Sequence, residues 1–147
     1  MNKKQLLLYK IASYGCIAFA LIHLTGHFQD ASALFPDEEG KVLFHAMQNY
    51  EINIMGLQRT VEDFLTGHSW SLTVFMLGIG IQNLLAVKHS ADRPQFIRSL
   101  TVTNLGMFGI LVGLTYRYFI YPPLVLFGMI WLLYFSSLLP GRTSSAK

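Results

Sequence analysis

Apolar and polar positions divide the chain into four long apolar runs. They are Ile11 to Phe28, about Phe64 to Val87, about Leu100 to Tyr116, and a last run that opens at Phe119 or Tyr121 and ends at Leu139. Each approaches the roughly 20 residues that cross about 30 Å of hydrocarbon at 1.5 Å per residue. Backbone amides have no water to bond in lipid, so runs of this length are helical. The pattern predicts an all-α fold, an integral membrane four-helix bundle with residues 1–140 as a single four-span domain and 141–147 as a flexible polar tail. The third run is the shortest and the most polar, carrying Thr101, Thr103 and Asn104.

The connection from Gln29 to Asp63 is too long for a turn and too patterned for disorder. Leu43, Met47, Tyr50, Ile54, Leu57, Val61 and Phe64 recur at alternating steps of four and three, which predicts one apolar stripe on an amphipathic helix that breaks at Gly56 and restarts at Thr60. Thr60-x-x-Asp63 has the spacing of a capping box, with Asp in place of Glu or Gln. Pro122-Pro123 open the fourth helix, because a first turn needs no amide hydrogens. Gly106, Gly109 and Gly113 on the third run, with Gly78 and Gly80 on the second, predict close helix packing. Gln82, Asn83 and Asn104 are placed to hydrogen-bond between helices.

Lys3, Lys4, Lys10, Lys88, Arg93, Arg98, Arg142 and Lys147 fall on one side of these spans, and Lys41, Arg59 and Arg117 on the other. Cytoplasmic loops keep the excess of Lys and Arg, so both termini are expected in the cytoplasm. Tyr116, Tyr118 and Tyr121 around Arg117 then form an interfacial belt on the outer side. The basic start and Ala31-Ser32-Ala33 imitate a cleaved secretory signal, but the length of the first run, its two histidines and the spans that follow favour retention.

Composition agrees: 52% of residues are hydrophobic and 13% charged, about half the charged share of a soluble domain. The net charge of +3 is accounted for by topology, and no basic cluster points to nucleic acid. The single cysteine, Cys16, lies within the first run and excludes an intrachain disulfide, a C-x-x-C relay and covalent haem attachment.

Candidate chemistry concentrates in the histidines. His23 and His27 are four apart and share a helix face. His23 lies five residues inside Phe28 and His68 four inside Phe64, which puts both about 6 to 8 Å below the outer boundary. Two imidazoles at matched depth on separate spans suit a metal or bis-histidine haem b site, with His23 and His68 as ligands. His27 and Asp63 would sit at the mouth, with Arg59 one turn higher as an ion-pair partner of Asp63, and His45 on the outer helix able to fold across. His89 lies at the opposite end. Against these readings stands simple boundary polarity, with water satisfying the rings. H-x-x-x-H is also not the zinc-protease motif, since Leu24 follows His23 where that motif has Glu.

In "IMGLQRTVEDFLTGHSW", Ile54 to Trp70, the order M-G-x-x-R-T-x-x-D-F-x-x-G resembles a family of short bacterial four-span membrane proteins with no assigned activity. The resemblance implies a bacterial inner-membrane setting and marks Gly56, Arg59, Asp63 and Gly67. Three functions fit. One is a non-catalytic accessory protein whose pocket holds a lipid, a quinone or a partner helix. The others are a haem-binding redox subunit, and an enzyme on a lipid-like substrate with His27 or His68 as general base and Asp63 orienting it.

Overall fold

The computed structural model describes residues 1–28, 31–90, 92–118 and 121–139. Their elements are α1 (Lys3–Gly26), a short 3-10 turn (Ala31–Leu34), α2 (Glu38–Asn49), β1 (Glu51–Ile54), β2 (Leu57–Thr60), α3 (Val61–His89), α4 (Pro94–Tyr118) and α5 (Tyr121–Leu138). α1, α3, α4 and α5 are long and apolar enough to cross a membrane, and the fold is an all-α bundle of a multi-pass membrane protein. At 24, 29, 25 and 18 residues they extend roughly 36, 44, 38 and 27 Å. The expected tail 141–147 and the start of the last span at Phe119 lie outside the described residues.

The chain forms two compact units, residues 1–19 with 77–147, and residues 20–76, to both of which α1 and α3 contribute. In the first unit, reciprocal bonds between Asn2 and Gln5 cap α1: the Gln5 amide donates to Asn2 Oδ1 at 2.8 Å and the Asn2 amide to Gln5 Oε1 at 2.7 Å. Gln5 Nε2 donates to the Leu139 carbonyl at 2.8 Å, which ties the start of α1 to the end of α5. α1 and α3 meet at Gly80, where a Cβ would lie 2.6 Å from Ile17 Cγ1 and 2.8 Å from the Ser13 carbonyl. Gly109 abuts Trp131, but Gly78, Gly106 and Gly113 have open space, so the expected glycine stripe packs at only one of its three positions.

The core of this unit is aromatic and hydrogen-bonded. Phe19 stacks on Phe127 at 4.7 Å, and Phe108 leans against both Phe127 and Tyr134. The Tyr9 hydroxyl donates to Asn83 Oδ1 at 2.8 Å, and Asn83 Nδ2 donates to the Tyr134 hydroxyl at 2.9 Å. Cys16 Sγ lies 3.9 Å from that same hydroxyl. The expected interhelical role of Asn83 is thus realised between α1, α3 and α5. Asn104 is 6% exposed and faces Tyr9 without closing a hydrogen bond from its amide nitrogen. Gln82 is exposed.

In the second unit the continuous amphipathic helix is not formed. Asp37 caps α2 by accepting the Gly40 amide at 2.6 Å, and the helix stops at Asn49. β1 and β2 then pair antiparallel in the register Glu51↔Thr60 to Ile54↔Leu57, closed by Met55 and Gly56 at φ 54° and 86°. Two positive φ values in a two-residue loop make a type I′ turn, whose twist matches that of paired strands. The capping box predicted at Thr60 is present: Thr60 and Asp63 exchange amide-to-side-chain bonds of 3.0 Å each. That box restarts the chain as α3.

Candidate functional site

Within the second unit, α1 and α3 bring two imidazoles to one hydroxyl. His23 and His27 lie one turn apart near the end of α1, with rings 5.6 Å apart and nearly perpendicular. Facing them is Ser69 of α3, whose Oγ lies 2.8 Å from His23 Nε2 and 3.2 Å from His27 Nε2. One hydroxyl carries one proton, so Ser69 can donate to only one of the two rings and accepts from the other. Trp70 stacks on His27 at 4.4 Å and 16°, fixing the plane of that ring. Thr73 Oγ1 donates to the Ser69 carbonyl at 3.2 Å.

His27 and Ser69 also line a groove of about 270 Å³. Its other walls are mostly apolar, with Phe35, Phe44, Met47 and Leu65, and Glu62 and Thr66 are polar points on it. Phe35, just after the 3-10 turn, and Phe44 of α2 stack at 5.3 Å, so the wall they form is a preformed aromatic plate. The volume is at the small end of ligand pockets and suits a ring-sized head whose tail remains outside.

The remaining predicted residues lie elsewhere on the unit. His68 is exposed, and Ser69, not His68, meets His23. One step along a helix turns a side chain by about 100°, so matched depth did not mean a matched face. Among the described residues no group of three or more His, Cys, Asp or Glu is placed to hold a metal. Arg59 and Asp63 do not close an ion pair. Their four-residue spacing presupposes a helix, whereas Arg59 lies on β2 and donates to the Gln58 carbonyl at 2.6 Å. Asp63 is occupied with the Thr60 cap. His45 is exposed on α2, and its carbonyl accepts the Asn49 side chain at 2.7 Å.

Ser69 and Trp70 were not among the expected residues. A signal existed: Glu62, Thr66, Ser69 and Thr73 follow one another at helical steps of four, three and four, a polar stripe on an otherwise apolar span. Protein-family models, curated proteins and solved structures contain no match to this chain, so the chemistry of the site is carried by its own residues.

Proposed function

We propose that this chain is a small bacterial inner-membrane protein, with both termini cytoplasmic and the histidine pair near the outer face, that binds an amphiphilic ligand of quinone or lipid type. The observation that carries this is the convergence of His23 and His27 on Ser69 at the polar end of an aromatic-walled groove. A ring carbonyl or headgroup oxygen would bond there through His27 or Ser69, its flat part against Phe35 and Phe44, and its tail would leave into lipid. The accessory reading rests on the donor set, two imidazoles and one hydroxyl that can recognise a ligand oxygen. The likeness of the Met55 to Gly67 stretch to the bacterial four-span family is consistent with the same setting.

Trp70 supplies the test, because it stacks on His27. In a Trp131→Phe background, titration with a short-chain quinone is expected to quench Trp70 fluorescence saturably. His27→Gln and Ser69→Ala are each expected to weaken that binding about tenfold, the worth of one good hydrogen bond to a ligand. Linear, unsaturable quenching that is the same in all three proteins would overturn the reading.

The 2.8 Å contact between His23 Nε2 and Ser69 Oγ favours one second reading, an enzyme on a lipid-like ester in which His23 takes the Ser69 proton. A fluorophosphonate probe that labels Ser69, and fails to label the His23→Gln protein, would establish it over simple binding.

A further inference from the structure

At the opposite end of α1, α1 and α3 border a second groove, of about 500 Å³, entirely within the unit formed by residues 1–19 and 77–147. Its walls are apolar, with Leu6, Ile81 and Leu85, and its polar points are Lys10, Lys88 and Tyr14. Neither lysine is paired with a carboxylate among the described residues, where Lys41 with Glu38 is the ion pair formed. Lys3, Lys4, Arg93 and Arg98 belong to the same unit, in which Asp92 is the one acid among the described residues. Two ammoniums on an otherwise apolar groove that runs roughly 10 to 12 Å along α1 and α3 create a local positive potential beside a path for hydrocarbon.

We infer that this groove is a binding site for an anionic phospholipid, with the phosphate held between Lys10 and Lys88 and an acyl chain lying along Leu6, Ile81 and Leu85. The occupant follows from charge and shape together. A partner helix would leave both ammoniums buried and uncompensated unless it carried its own carboxylates, whereas an acidic phospholipid brings the charge and the chain at once. Lysine stems are long enough to lie on the apolar wall while their heads reach the phosphate plane. The site is independent of the histidine groove and requires only that the chain reside in a bilayer.

Native mass spectrometry of the full chain, released from detergent containing equal phosphatidylglycerol and phosphatidylcholine of the same acyl composition, tests it. Wild type is expected to retain phosphatidylglycerol preferentially, by about five-fold for each engaged lysine. The double variant Lys10→Gln/Lys88→Gln should retain the two lipids equally. Lys10→Arg/Lys88→Arg should keep the preference, and so should Lys3→Gln/Lys4→Gln, which removes the same charge outside the groove. Leu85→Trp, which narrows the hydrocarbon wall, should lower retention of lipid while both lysines remain. The proposal fails if the Lys10/Lys88 variant keeps the preference, or if the Lys3/Lys4 variant loses as much. It fails as well if wild type shows no preference, including the case where a dimer appears and a second copy fills the groove, or if glycerol phosphate displaces the lipid at equal concentration.

Discussion

Ser69 is one hydroxyl between two rings, so replacing it removes two hydrogen bonds at once. Side-chain hydrogen bonds in membrane proteins average about 0.6 kcal/mol, and Ser69→Ala is expected to cost roughly 1 kcal/mol in reversible detergent unfolding. Freed from Ser69, His27 should also sample positions off Trp70, which a change in Trp70 emission in the Trp131→Phe background would report. Ser69→Thr keeps the hydroxyl and should preserve both signals. The Tyr9, Asn83 and Tyr134 chain allows a cleaner measurement, because Asn83 is the common partner. Tyr9→Phe or Tyr134→Phe leaves a buried Asn83 group unmatched and should each cost about 0.6 to 1.7 kcal/mol. In an Asn83→Leu background the same tyrosine substitutions should cost close to nothing. Equal costs in both backgrounds would mean that ring packing, such as the 5.6 Å edge contact of Tyr9 with Tyr134, outweighs the hydrogen bonds.

At the scale of elements, the hairpin shows how a helical period can describe strands. Leu43 and Met47 lie on α2, but Ile54 and Leu57, three apart, are register partners across a two-residue loop. A step of three thus fits a tight hairpin as well as a helix. The competing signal was present in the alternation Glu51-Ile52-Asn53-Ile54, in the β-branched residues and in the Gly before Leu57. The spans were legible because lipid demands long helices whatever their side chains, and the Thr60 cap was legible because it is local. Pairing at the histidines was not legible, although that of Asn83 was: it depends on which face a residue takes, as Ser69 and His68 demonstrate. Met55 carries φ 54°, a conformation that costs a residue with a Cβ roughly 1 kcal/mol and that Asn tolerates better. Met55→Asn is therefore expected to slow hydrogen exchange of the β1 and β2 amides by up to about five-fold. On α3, Gly80→Ala places a Cβ against the α1 backbone and should cost about 1 to 3 kcal/mol of thermal stability. Gly78→Ala meets open space and should be neutral or stabilising by up to about 1 kcal/mol through helix propensity.

For the whole molecule, the distribution of charge and the placement of the ends make one joint prediction. Gln5 bonds the Leu139 carbonyl, so the start of α1 and the end of α5 lie at one end of the bundle, as four crossings require. That end carries Lys3, Lys4, Lys10, Lys88, Arg93 and Arg98. The end of α4 has Arg117 5.3 Å from the Tyr118 ring and an exposed Tyr116, and α5 starts at an exposed Tyr121, the composition of an interfacial belt. Fusion of green fluorescent protein to the C-terminus should fluoresce, and alkaline phosphatase at the same position should be inactive. Phosphatase inserted at Met55, the exposed tip of the hairpin, should be active. Neutralising Lys3, Lys4 and Lys10 together removes three of the six Lys and Arg at the lysine end among the described residues and should yield a mixed population in which both C-terminal reporters are partly active. The opposite result for wild type, an active C-terminal phosphatase, would put Lys10 with Lys88 in the outer leaflet. The lipid that binds the two lysines would then have to be drawn from that outer leaflet, so orientation and lipid selectivity are coupled measurements.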